Sequence, residues 1–125
     1  SSLLDGLIRQ ILSPAYAQSQ DEWKDEAIFM LEPGATHELK LTMKEGDVVE
    51  FRMEVEGGRV NYDHHAHGSG QSTTYEKGRG STGSEGEFVA KFDGTHGWFW
   101  RNRDKKTLTI KLQVRGTYSA FKQGE

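Results

Sequence analysis

Leu108, Ile110, Leu112 and Val114 alternate with Thr109, Lys111, Gln113 and Arg115, and this two-residue apolar period is the feature that most limits what the chain can fold into. A strand sends successive side chains to opposite faces, so a segment of this kind buries one face and wets the other. A helix would scatter the same residues around its circumference. The period recurs where Leu39, Leu41 and Met43 alternate with Lys40, Thr42 and Lys44, and where Val49, Phe51, Met53 and Val55 alternate with Glu50, Arg52, Glu54 and Glu56. Val60, Tyr62 and His64 share one face of a further strand, Phe88, Ala90 and Phe92 mark another, and WFWRN opens one that runs to a loop at 103–106. Pro33-Gly34, Glu45-Gly46-Asp47, Gly57-Gly58 and Asp93-Gly94 supply the turns between them. Seven or eight short strands at this spacing predict an all-β fold, a sandwich or a barrel, and the expected class is an antiparallel, jelly-roll-like β-sandwich. Residues 39–55 are expected to form a hairpin, Thr73 to Glu76 a short strand, and GRGSTGSEG a loop.

The 125 residues suffice for one domain with a real core. Leu4, Leu7, Ile8 and Ile11 recur at spacings of three and four, which predicts an amphipathic helix of about three turns ending before Pro14. The expected organisation is a helix and polar linker over 1–25, serving as a membrane-proximal stalk, followed by the sandwich over 26–125. Asp5 and Arg9 interrupt the apolar stretch that a signal peptide needs. The chain opens at Ser1, and the expectation is a trimmed form of something longer. No run of about 18 apolar residues occurs.

Sixteen basic and 19 acidic residues are interspersed, for a formal charge of -3. Nucleic acid is therefore not an expected partner, since counterion release needs a dense basic face. The absence of cysteine removes disulfides, thiolate nucleophiles and Cys-ligated metals. GSGQS around Ser69 lacks the strand-to-helix setting of a nucleophile elbow, and GRGSTG lacks the Lys-Ser/Thr ending of a phosphate loop. An enzyme is not expected. Trp98 and Trp100 share a face opposite Phe99, so at least one indole belongs in the core, with the other face open to ligand stacking.

Two stretches carry a family resemblance. EGEFVAKFDGTHGWFWRNRDKKTLTIKLQVRGTY, with Phe88, Gly97, Phe99, Asn102, Lys106 and Gly116 in its key places, is similar to the final strands of GOLD (Golgi dynamics) domains, and LTMKEGDVVEFRMEVEGG resembles their opening segment. The resemblance spans about Ile28 to Tyr118 and rests on patterning. Eukaryotic p24-type members carry a disulfide-forming cysteine pair that this chain lacks. It looks closer to bacterial GOLD-like proteins held to the inner membrane by one N-terminal helix and facing the periplasm, some encoded beside heavy-metal efflux systems. What this implies is a periplasmic accessory protein, anchored by a segment preceding the chain, whose partner is a membrane protein such as a metal exporter.

The one local constellation is NYDHHAHG. Neutral imidazole is the commonest protein ligand for zinc and copper. On an extended strand Asp63, His65 and His67 point to one side and His64 to the other, so the expected metal ligands are His64, His65, His67 and Asp63, with His96 completing the site if its turn lies near. The expected role is binding of zinc or copper(II) in support of efflux, with no organic cofactor. The alternative is a docking or self-association module that uses the apolar stripe of the N-terminal helix and has no metal role.

Overall fold

The computed structural model describes residues 22–124. The expected N-terminal helix lies outside them. Among the described residues there are nine strands: β1 (Asp25–Leu31), β2 (Thr36–Met43), β3 (Val48–Glu56), β4 (Val60–Gly68), β5 (Gln71–Ser81), β6 (Gly83–Val89), β7 (Gly94–Arg101), β8 (Leu108–Gly116) and β9 (Ala120–Gly124). They form a four-stranded sheet in the order β1-β8-β3-β6 and a five-stranded sheet in the order β5-β4-β7-β2-β9, every pairing antiparallel. Successive strands mostly cross from one sheet to the other, which is the jelly-roll arrangement of the β-sandwich.

That topology corrects one expectation. β2 and β3 follow one another across Gly46, which takes a φ of 91°, yet they are not a hairpin. β2 pairs with β7 and β9, whereas β3 pairs with β6 and β8. Alternation states which face of a strand is apolar and is silent on which strand lies beside it. The hairpin within one sheet is β4–β5, turned by Ser69 and Gly70, both at positive φ (49° and 78°).

A second correction concerns the glycine-rich stretch. Most of GRGSTGSEG is strand, because β5 runs on to Ser81 and β6 starts at Gly83. These are the edge strands of the two sheets, each paired on one side only. Edge strands bury less, so their sequence carries little alternation.

The core is where the alternating residues meet. Leu108, Ile110, Leu112 and Val114 of β8 pack with Val49, Phe51 and Met53 of β3 against Leu39, Leu41 and Met43 of β2 and Trp98 and Trp100 of β7. Both indoles are buried, which places the whole Trp98–Trp100 face inside, and the Trp100 Nε1–H points at the sulfur of Met53, 3.1 Å away. Asn102 is fully buried and fully used: its Nδ2 donates to the carbonyls of Leu31 (2.9 Å) and Lys106 (2.7 Å), and its Oδ1 accepts from the Asp104 amide (2.8 Å). One side chain thereby ties the end of β1 to the β7–β8 loop. The polar linker also has a fixed point, since Trp23 lies against Arg115 and Arg52 on the outer face of the four-stranded sheet, 4.5 and 5.5 Å from the guanidinium carbons to the ring.

Candidate functional site

Four of the five expected ligands lie on β4, which divides them between its two faces. His64 is 1% exposed and faces the interior, whereas Asp63, His65 and His67 project from the outer face of the five-stranded sheet. His96, on β7, is buried on the interior side with His64. On the outer face the His65 and His67 rings are 5.0 Å apart, and Nδ1 of His65 is 3.5 Å from Oδ1 of Asp63. Among the described residues no group of three or more His, Cys, Asp or Glu side chains is placed to hold one metal ion. The bend at Gly68 to Gly70 reverses the chain into β5 without turning His64 outward.

His96 has both ring nitrogens engaged. A carbonyl only accepts, so Nε2–H donates to the Phe92 oxygen (2.9 Å) and Nδ1 accepts from the Tyr75 hydroxyl (3.0 Å). Tyr75 in turn accepts the Lys91 amide proton at 3.0 Å. The chain of donors fixes His96 as the neutral Nε2–H tautomer. Burial, the larger effect, also holds its pKa below the ordinary imidazole value, against the pull of the Phe92 carbonyl.

His64 differs. Its ring stacks on Trp98 at 4.3 Å and meets the edges or faces of Phe88 (4.4 Å), Tyr75 (4.9 Å) and Phe51 (5.6 Å). Burial first, then the neighbouring His65 and His96, lower its pKa to about 3, so the ring is neutral at any physiological pH. Its Nε2 is buried without a hydrogen-bond partner. Native interiors rarely leave such an atom unsatisfied.

The residue also lines an opening. The edges of the two sheets, β5 and β6, stand apart and leave a cleft of about 560 Å³ whose lining includes His64, Tyr75, Phe51 and Phe88. Gly86 faces this gap from β6 and has no side chain to fill it. Glu76, opposite His64 in the β4–β5 register, lies at the rim with Glu85 and Glu87; Lys91 lines the same cleft, and Glu85 is ion-paired with Arg52 (3.1 Å). Val89 at the rim is half exposed, and its register partner Val48 is exposed beside it. Tyr75, Glu76, Phe88 and Gly86 carried no functional signal in the sequence. A lone tyrosine within a glycine- and serine-rich stretch was the available hint, and a shift in register between His64 and His65 is what swings it inward.

No family model matches the chain, and no curated protein matches it. Among solved structures it is similar to the periplasmic lysozyme inhibitor of g-type lysozyme, PliG, of Aeromonas hydrophila: 13% identity over 78% of this chain and 90% of that one, with a TM-score of 0.55. It is also similar to a de novo designed double-stranded β-helix, at 16% identity over 74% of this chain and all of the other, with a TM-score of 0.42. At these identities the likeness to PliG is one of fold: an all-β sandwich is what the two chains share.

Proposed function

We propose that this chain is a non-catalytic, periplasmic binding module that receives a basic, extended segment of a partner protein in the cleft between β5 and β6. The observation that carries the reading is an aromatic-walled cleft with an acidic rim whose lining includes His64, a residue with a buried, unpartnered Nε2. A neutral imidazole nitrogen offers one hydrogen bond to an inserted N–H, while Glu76 and Glu87, which form no ion pair among the described residues, favour a cation over an anion. The two edge strands flanking the opening present free backbone donors and acceptors, to which an extended segment adds as a further strand. Exposed Val48 and Val89 extend the apolar contact beyond the rim.

The fold neighbour supports this reading by analogy, since PliG is a periplasmic inhibitor that acts on another protein. The GOLD-like resemblance adds a membrane protein as the class of partner. The geometry favours it over the metal reading, because the interior and exterior histidines do not converge.

The test is a titration followed by amide NMR, using a hexapeptide of alternating arginine and valine and its twin of alternating glutamate and valine. The basic peptide is expected to shift amides of 71–81 and 83–89, with at least tenfold weaker binding to the Glu76→Gln, Glu87→Gln double variant. Equal binding of the two peptides, or none by either, would overturn the proposal.

A further inference from the structure

Arginine pairing in this molecule is uneven. Six arginines lie among the described residues. Arg52 and Arg115, on the four-stranded sheet, are ion-paired with Glu85 (3.1 Å) and Glu50 (3.0 Å). The other four are Arg59 in the β3–β4 turn, Arg79 on β5, Arg101 at the end of β7 and Arg103 in the loop after it. Among the described residues none of these four has a carboxylate within 4.0 Å of its guanidinium nitrogens. All four are exposed, and so is Lys77, which is likewise without an ion pair.

They also converge. Arg59, Arg79 and Arg103 line a hollow of about 320 Å³, and Lys77, Arg79, Arg101 and Arg103 line a second of about 220 Å³. The two adjoin, with Arg79, Arg103 and Asn61 common to both. Asn61 takes no part in neutralising the cations: its Oδ1 accepts the Gly80 amide proton at 2.9 Å. Two carboxylates line the hollows, Asp104 beside Arg59 and Asp63 beside Lys77, and neither forms an ion pair with these cations. Asp104 accepts the amide protons of Lys105 (2.9 Å) and Arg59 (3.4 Å), and Asp63 faces His65. Arg101 rests over the Phe99 ring, 5.9 Å from its centroid, which leaves its N–H groups free. A chain of net charge -3 has thus gathered five cations without ion pairs, against two carboxylates, at one end of one sheet. Like charges repel, so such a cluster costs stability unless an anion relieves it.

We infer that this arginine end binds a phosphate-bearing anion. The planar guanidinium donates two parallel hydrogen bonds and matches phosphate geometry, which an ammonium does not. Two adjoining hollows sharing Arg79 and Arg103 suit a ligand with two linked phosphates, or one phosphate with a polar neighbour. The two hollows share no lining residue with the β5–β6 cleft, and the inference stands or falls independently of what that cleft receives.

The experiment is calorimetry of the full chain with inorganic phosphate and pyrophosphate, and vesicle sedimentation with phosphatidylcholine containing phosphatidic acid against phosphatidylcholine alone. Each is repeated with the Arg79→Gln, Arg103→Gln variant and with Arg52→Gln, Arg115→Gln, which removes the same charge from the opposite sheet. Pyrophosphate binding weakened at least tenfold by the first variant and not by the second supports a soluble phosphate ligand. Binding to the phosphatidic acid vesicles alone, with the same dependence on the variants, supports a lipid phosphate. No binding to either, equal loss in both variants, or tighter binding of a single-stranded oligonucleotide than of any of these would overturn the inference.

Discussion

The imidazole of His64 lies parallel to the indole of Trp98, 4.3 Å between centroids and 6° between planes, in a cage completed by Phe51, Phe88 and Tyr75. The cage excludes the water that an imidazolium needs. In the unfolded chain the ring takes a proton near 6.5, and in the folded one near 3. The unfolded state therefore binds more protons between these values, and stability, fully present above pH 6.5, is lost as the pH falls, by about 1.4 kcal/mol per unit from this one group. Urea denaturation between pH 7.5 and 4.5 is expected to show a clearly shallower acid loss in His64→Phe than in the parent, with the remainder set by His96. An identical slope in the two chains would show that His64 is not the titrating group.

The same substitution separates stability from binding. His64→Phe removes a buried unsatisfied nitrogen, so at pH 7.5 the variant is expected to be at least as stable as the parent. If the nitrogen is kept for the partner, the basic hexapeptide will bind it more weakly all the same.

Asn102 is the polar residue with most to lose. Alanine there leaves the carbonyls of Leu31 and Lys106 and the amide of Asp104 without partners. The expected cost is about 2–4 kcal/mol, read as a lowered midpoint in denaturant followed by tryptophan fluorescence. A change below about 0.5 kcal/mol would mean that water replaces all three bonds.

Gly97 separates β7 from β2 with nothing to spare. A Cβ there would lie 1.9 Å from the Leu39 carbonyl oxygen and 2.9 Å from the Lys40 Cα. The obstacle is backbone in the middle of a sheet, so Gly97→Ala is expected to cost more than the roughly 1–3 kcal/mol of an overpacked side chain. Thermal unfolding by circular dichroism measures it.

For metals, the outer pair His65 and His67 is the only part of the histidine cluster where an ion would meet more than one ring from solvent. Paramagnetic copper(II) is expected to broaden the ring signals of His65 and His67 and to leave those of His64 and His96 sharp. Broadening of His64 at low copper would bring the buried face back into the metal question.

Alternation in the sequence was enough to place Val49, Leu41 and Leu112 on apolar faces, to put at least one of Trp98 and Trp100 inside, and to separate His64 from His65 and His67. It could not say that β3 lies beside β8 and β6 instead of β2, because the period encodes a face and pairing is settled by the whole core. The stretch 78–86, where the two edge strands adjoin, reads as loop for a related reason: Gly78, Gly80, Gly83 and Gly86 give no side-chain rhythm to follow. The candidate cleft was illegible because His64, Tyr75 and Phe88 come from three strands that meet only once both sheets are built. The arginine end was illegible for the same reason, since Arg59, Arg79 and Arg103 are about twenty residues apart in the chain.

β1 pairs with β8, so that Asp25 stands opposite Val114. A chain emerging from its N-terminus therefore makes its first strand long before that strand has a neighbour, and Ala27, Phe29 and Leu31 wait for almost the whole domain to be synthesised. Ile28 and Met30 stay exposed even afterwards, on a strand that among the described residues pairs on one side only. Folding that depends on such distant pairings is slow and leaves sticky strand surface uncovered while it proceeds. The first strand made is among the last secured, and it is where a growing chain of this kind is most open to pairing with the wrong neighbour.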